Sequence, residues 1–238
     1  MLTKEIIPIL MYHDISNKIN NHSVYYKKFF LQINLLNKLG YEAVNLCDLH
    51  KKTIKKKFVI TFDDGYANIA KYVLPFLKKK NLKATCFIVT NSIGKFNHWD
   101  KKKSFKKKKI MSLEQIKSWV SAGLEIGSHT SNHYNLKSLN KNKLKNEIVG
   151  PIQYFKKIGI EVKTFSYPFG NYETNSLRIV KKNYQYAVTT NRSRYKLNHF
   201  KRNILPRIPI NHDTSLIKLF LKISTFYEDM KHERSIKC

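Results

Sequence analysis

Two segments of this 238-residue chain carry side chains whose types and spacing can do chemistry. Thr61-Phe62-Asp63-Asp64-Gly65-Tyr66 offers adjacent carboxylates, and Ser128-His129-Thr130-Ser131-Asn132-His133 offers two imidazoles four residues apart. Two His and one Asp can hold a borderline-soft divalent cation and leave coordination positions open. The remaining Asp is then free to act as a base, which completes the equipment of metal-assisted hydrolysis. Taken singly, each segment has a plainer explanation: an Asp-Gly turn capping a helix, and a pair of surface histidines. Adjacent residues on an extended chain point to opposite sides, so both carboxylates reach one site only if the chain turns between them, which Gly65 eases. Histidines four apart share one face of a helix, or of a loop that leads into one.

Each segment directly follows a short apolar run that reads as a buried strand. Such runs, at residues 6–11, 58–62, 84–89, 124–127, 163–167, 186–189 and 204–210, alternate with stretches read as helices at 25–39, 69–80, 113–122, 141–158, 176–182 and 215–227. Gly40 stands where a helix cap is expected, and Ser112 with Gln115 has the spacing of a capping box. The alternation argues for a parallel sheet with helices outside it, closed into a barrel or open and doubly wound. Asp63, Asp64, His129, Pro168 and His13 all fall just after expected strands; a barrel would gather them at one mouth, whereas an open sheet would spread them along an edge. No internal repeat or composition shift divides the chain, so it reads as one domain over 1–238 with a Lys-rich insertion loop at about 91–111. Within that loop, seven of the nine residues at 101–109 are Lys, a run too self-repelling to pack.

Hydrophobic content of 42% and aromatic content of 13% are those of a globular chain rather than a disordered one. The net charge of +29 is extreme. Lys is scattered along the whole length, which fits solvated helix faces, and no interleaved basic and aromatic module argues for a nucleic-acid partner. An anionic membrane face remains a candidate for peripheral contact. No secretory-signal pattern or bilayer-spanning run of ~18 residues is seen. Cys47, Cys86 and Cys238 are widely spaced and read as reduced thiols. These features point to a cytoplasmic protein, or one peripheral on the cytoplasmic membrane face.

Asp63-Asp64 within its segment, followed by the His129 to His133 segment, resembles the first two motifs of the polysaccharide deacetylase family, the NodB-like carbohydrate esterases. Phe165-Ser166-Tyr167-Pro168-Phe169-Gly170-Asn171-Tyr172 is similar to the family's Pro-x-Gly segment. Leu10-Met11-Tyr12-His13-Asp14-Ile15 resembles the start of the branch that de-acetylates poly-N-acetylglucosamine. Matching stretches run from about residue 8 to 210. The resemblance implies an α/β fold, a distorted, incomplete (β/α) barrel, and removal of N-acetyl groups from an amino sugar in a glycan or lipid-linked glycan precursor. It implies Asp64, His129 and His133 as ligands of a divalent metal, zinc first, with Co, Ni or Mn as alternatives. Asp63 would be the general base on the metal-bound water. A backbone N–H near Tyr167 would help hold the oxyanion, and Tyr167, Pro168, Phe169, Gly170 and Tyr172 would bind substrate along one wall.

Two departures from the family pattern stand out. Most members carry, where Ser166 stands here, an Arg that holds the base carboxylate; Arg207 is the candidate substitute. The C-terminal Leu-x-His motif that supplies the general acid has no copy, and His212 lies late in the chain without the pattern. In the branch with an early Tyr-His that early His takes the acid role, which assigns it here to His13. An acid is required because an amine leaves poorly without a proton, and an imidazole is suited to the task near neutral pH. Trp99 fits either stacking on a sugar or anchoring its loop, and the Lys run beside it could meet phospholipid headgroups. A non-catalytic carbohydrate- or membrane-binding protein on the same fold, and an O-deacetylase, are the competing readings.

Overall fold

Seven short apolar segments form parallel strands, and each pairs with the next until the last returns to the first. The computed structural model describes residues 6–19, 23–100, 107–197 and 199–230. In chain order the strands are β1 (Ile9–Tyr12), β2 (Lys56–Phe62), β3 (Thr85–Ile88), β4 (Glu125–Ser128), β5 (Thr164–Ser166), β6 (Tyr186–Arg192) and β7 (Leu205–Pro209). The ring closes because Ile208 of β7 lies opposite Leu10 of β1, and Leu10 lies opposite Ile60 of β2. The expected distorted (β/α) barrel is therefore present, with seven strands in closed register. The distortion is local: β4 meets β5 through the pair Ser128 and Phe165, and the register of β6 on β7 shifts between Val188 and Arg192.

Helices α1 (Tyr26–Lys38), α2 (Leu74–Lys79), α3 (Leu113–Ser121), α4 (Lys141–Lys157), α5 (Thr174–Asn183) and α6 (Leu216–Ser224) occupy the stretches with helical periodicity. The Ser112 capping box forms as its spacing predicts, with reciprocal bonds between Ser112 and Gln115. Proline accounts for two departures. Pro8 has no N–H to give a ladder, and the run at 6–11 splits there into Ile6–Ile7, paired antiparallel with Tyr195–Lys196, and β1. The helix expected over 69–80 starts as a π-helical turn, Ile69–Val73, and becomes α-helical with Pro75 in its first turn. The strand Tyr41–Val44, which the pattern did not predict, pairs with the first half of β2 outside the ring. The helix expected at 215–227 ends at Ser224.

Of the Lys-rich run, residues 101–106 lie outside the described residues. At its far end Lys107 and Lys109 are exposed, whereas Lys108 Nζ lies 2.9 Å from the buried Asp14 carboxylate, and the Lys109 backbone pairs with Phe96. A fixed anion answers the self-repulsion that the composition implied. Of the cysteines, Cys86 is buried and Cys47 half-buried, both free, and Cys238 lies outside the described residues. Among the described residues no helix is long and apolar enough to cross a membrane.

The barrel interior is packed rather than hollow, and Gly127 shows how tightly. A Cβ there would lie 2.7 Å from Thr164 Oγ1 and overlap the Phe87 ring. Gly127→Ala is therefore expected to destabilise the fold by about 1–3 kcal/mol, the usual cost of overpacking; urea unfolding against the parent chain measures it.

Candidate active site

Strand β2 delivers the two carboxylates to the C-terminal mouth of the barrel. The Asp63 N–H still donates to the Tyr12 carbonyl, continuing the ladder. The chain then turns sharply, with Asp64 at φ 71° and Gly65 at φ 73°. This left-handed step, unusual for a non-glycine residue, brings both side chains to one site. Burial pushes the Asp63 carboxyl up, but the charge and hydrogen bonds of Arg207 outweigh it and hold the group down to about 2.

Arg207 is fully buried on β7, and its guanidinium lies across the barrel. Nη1 donates to Asp63 Oδ1 at 2.7 Å and Nη2 to Oδ2 at 2.6 Å, a two-pronged contact that fixes the carboxylate plane. Nε donates to the Thr189 carbonyl, and the remaining protons of Nη1 and Nη2 go to Thr61 Oγ1 and Ser166 Oγ. All five N–H bonds of the guanidinium are thus used. The small Ser166 hydroxyl accepts the cation from a strand two places away in the ring. Arg207 thus contacts the carboxylate that the missing Arg would hold.

The histidines follow β4, and they converge through a loop rather than a helix. Thr130 and His133 take φ 67° and 58°, and the His133 N–H donates to Thr130 Oγ1. Helix α4 holds this loop from behind. Pro151 cannot donate to the Glu147 carbonyl one turn earlier, and that carbonyl instead accepts the Ser131 N–H at 3.2 Å. The buried Glu147 carboxylate takes the Asn132 N–H and side-chain amide. Glu147 escaped the sequence reading; a Pro three to four residues downstream of an acid inside a helix was the available signal.

His129 Nδ1 lies 2.8 Å from the Ser166 carbonyl, which assigns the proton to Nδ1 and leaves the Nε2 lone pair facing inward. Burial lowers its pKa to about 4, so the ring is neutral near pH 7. His129 Nε2 and His133 Nε2 lie 3.6 and 3.3 Å from Asp64 Oδ1. Burial raises the Asp64 carboxyl, yet the adjoining His133 ring and the other imidazoles hold it well below the usual carboxylate range. One donor atom from each of Asp64, His129 and His133 falls within 4.8 Å of the others, so the three could hold a metal ion. Two imidazole nitrogens and a carboxylate oxygen suit a borderline divalent cation. His133 Nδ1 is buried with no hydrogen-bond partner among the described residues. Aromatic packing orients the ring instead: Trp99 stacks on it at 4.5 Å between centroids, and Phe169 meets it edge-on at 4.8 Å. Trp99 is thus an anchor on the donor set itself.

His13 follows β1, is half-exposed, and has Nε2 4.0 Å from Asp63 Oδ2. It lines a cavity of about 410 Å³ with Asp64, Tyr66, Asp100, Lys108 and His212. His212, out of pattern in the sequence, is brought to the same cavity by the loop after β7. The Pro-x-Gly wall divides unevenly. Phe169, at φ 59°, is 55% exposed, and Tyr172 is half-buried, so both can face a ligand. Gly170, at φ 71°, lies where a Cβ would come within 2.7 Å of the Thr190 backbone nitrogen. Pro168 is buried, and the Tyr167 side chain is wholly enclosed, packed on Phe165 and Tyr172, so it supports the wall from behind instead of touching substrate. The Tyr167 N–H itself donates to the Val188 carbonyl at 3.1 Å.

The (β/α) barrel thus gathers carboxylate, imidazole and guanidinium groups at its strand ends, three of which could hold a metal ion. The profile of the polysaccharide deacetylase family matches residues 50–188, and the chain belongs to that family. Over 192 residues it is 34% identical to YxkH of Bacillus subtilis (strain 168), covering 77% of this chain but 64% of that protein's length. It is 30% identical over 224 residues to the poly-beta-1,6-N-acetyl-D-glucosamine N-deacetylase of Staphylococcus aureus (strain MRSA252), covering 83% of this chain and 71% of the relative. Among solved structures, the Streptococcus pyogenes deacetylase PplD in complex with acetate superposes with a TM-score of 0.80 at 25% identity, over 93% of this chain and all of that one.

Removing Arg207 tests the clamp. In Arg207→Ala the buried Asp63 charge loses its partner, and a loss of roughly 3–5 kcal/mol is expected at neutral pH. A carboxyl whose folded pKa is about 2 contributes stability above its unfolded value near 4 and loses it as pH falls through 2. The variant's deficit should therefore shrink on acidification, because protonated Asp63 no longer needs the cation. Urea unfolding of both proteins at about pH 7 and pH 3 reads this out; a deficit independent of pH would contradict the assignment.

Proposed function

We propose that this chain is a metal-dependent N-deacetylase that removes acetyl from an N-acetylated amino sugar in a glycan or lipid-linked glycan precursor. The observation that carries the reading is the convergence, at one mouth of the barrel, of an Asp-His-His donor set, a base carboxylate clamped by a buried Arg, and the half-exposed His13 imidazole 4.0 Å from that carboxylate. The Staphylococcus aureus relative, named for N-deacetylation of a glucosamine polymer, supports the amide over the ester.

Asp64 through a carboxylate oxygen, and His129 and His133 through Nε2, would hold the cation. Zinc is the first choice, with Co, Ni and Mn following from the shared ligand preferences of these ions. Such a cation supplies Lewis acidity at the acetamide carbonyl and makes a neighbouring water more acidic. Asp63, kept ionised and oriented by Arg207, takes the proton of the attacking water. His13 donates a proton to the departing amine from the open side of the cavity. His212 faces the same space and is the second candidate for the acid. Phe169 and Tyr172 offer aromatic surface to the sugar ring.

Metal content of the purified protein is the first test. About one divalent cation per chain, absent from His129→Ala, is the expected result for a three-ligand site. Acetate release from an N-acetylglucosamine oligosaccharide should then fall by about 10²–10⁴ in Asp63→Asn with the metal retained. His13→Ala should lose a similar factor, while His212→Ala should be nearly silent; the opposite order would move the acid to His212. No metal in either protein after zinc is offered at neutral pH would defeat the hydrolytic reading and favour a carbohydrate-binding protein on this fold.

The aromatic clamp on His133 makes a separate prediction. Trp99→Ala should weaken metal binding by about tenfold or more, as loss of an outer partner commonly does, and Trp99→Phe should recover most of it. Competition with a chromogenic chelator measures the affinity without any turnover.

A further inference from the structure

Helix α6 is apolar on the side that faces solvent as well as on the side that faces the core. It buries Leu219, Lys222 and Ile223, yet Ile217 is 75% exposed and Leu216, Phe220 and Leu221 are also open. Spacings of three and four place Ile217, Phe220 and Leu221 on one outward face. Beyond the helix Phe226 is 67% exposed, and on α1 Leu31 is exposed too. Between α1 and α6 runs a groove of about 560 Å³ lined by Leu31, Leu35 and Leu216, with Lys38 and Lys80 at its rim.

This display is held rigidly. Glu228, fully buried, takes Arg192 and Lys222, and the buried Asp229 takes Arg194. These pairs fix the segment after α6, so Phe226 is presented outward, with the Arg194 guanidinium 5.1 Å from its ring centroid. A group of large apolar side chains exposed together in this way marks an interaction site.

We propose that the face built from Leu31, Leu216, Ile217, Phe220, Leu221 and Phe226 docks on an anionic phospholipid bilayer, with these side chains entering the interface. The charge of the chain selects this occupant. A net charge of +29 attracts anionic headgroups, and the same charge opposes stacking two copies of the chain face to face. Basic side chains lie beside these apolar groups, Lys38 and Lys80 at the groove and Arg194 and Lys196 over Phe226, and apolar side chains with cationic neighbours suit a membrane interface. The loop before α6 carries Asn211 and His212, which line the cavity of the candidate active site. Docking through α6 therefore sets that mouth beside the bilayer. Docking does not depend on the deacetylase reading.

Vesicle flotation of the full chain tests the proposal, using phosphatidylcholine alone and phosphatidylcholine with phosphatidylglycerol. The wild type should float with the anionic vesicles and retain part of that binding at about 0.5 M salt, where charge attraction alone is screened. Ile217→Ser/Phe220→Ser, both at exposed positions, should bind about tenfold less at that salt with an unchanged melting temperature. A Phe220→Trp variant should show a blue-shifted emission component with anionic vesicles that the wild type lacks. Equal binding by the double variant, complete loss of wild-type binding in salt, or no shift in Phe220→Trp would overturn the proposal. So would a wild-type dimer by light scattering that the double variant dissociates, since the face would then belong to a second copy.

Discussion

The Arg207–Asp63 pair is the interaction on which the mouth of the barrel depends. Its cation comes from β7, its anion from the end of β2, and its remaining hydrogen bonds reach β5 and β6. One side chain thereby ties four of the seven strands at the level where the functional groups emerge. A lone charge at this depth would be strongly disfavoured, and the pair persists because every donor has an acceptor. The same contact that stabilises the closed ring also orients the carboxylate beside the donor set, so structure and chemistry share one constraint.

Around this pair the backbone is bent into conformations that cost energy elsewhere in proteins. Of the five non-glycine residues with positive φ among the described residues, Asp64, Thr130, His133 and Phe169 belong to the site. Strain of this kind persists where the surroundings over-determine it. Here the surroundings are explicit: Glu147 and Pro151 of α4 hold the histidine loop, Trp99 and Phe169 hold the His133 ring, and the Lys108–Asp14 pair ties down the end of the loop that carries Trp99. The two histidines are fixed differently, one by a hydrogen bond to a carbonyl and the other by aromatic faces. The membrane-facing reading of α6 adds a third layer, because buried ion pairs there hold apolar side chains outward at the edge of the same mouth.

Much was legible in the linear chain because it depended on local pattern. Apolar runs of strand length alternate with helical periodicity, and the Ser112 capping box and the carboxylate and imidazole segments are contiguous in sequence. These features determine the strand–helix alternation and the side of the sheet that carries chemistry; which of the two carboxylates joins His129 and His133 followed from the family resemblance. Their physical basis is short-range: side-chain direction along a strand or helix, and turns that two or three residues specify.

What only the tertiary structure decided involves partners far apart in the chain. Arg207 reaches Asp63 across 144 positions, a pairing that depends on which strand closes the ring and in what register. The same holds for His212 entering the cavity of His13, for the Glu147 carbonyl finding the Ser131 amide, and for Trp99 settling on His133 rather than on open surface. The enclosure of Tyr167 and the engagement of its amide by Val188 likewise follow from strand register. Propensity and periodicity state which residues prefer to be inside, but the neighbours they meet there are chosen by closure of the barrel, and closure is a property of the whole chain.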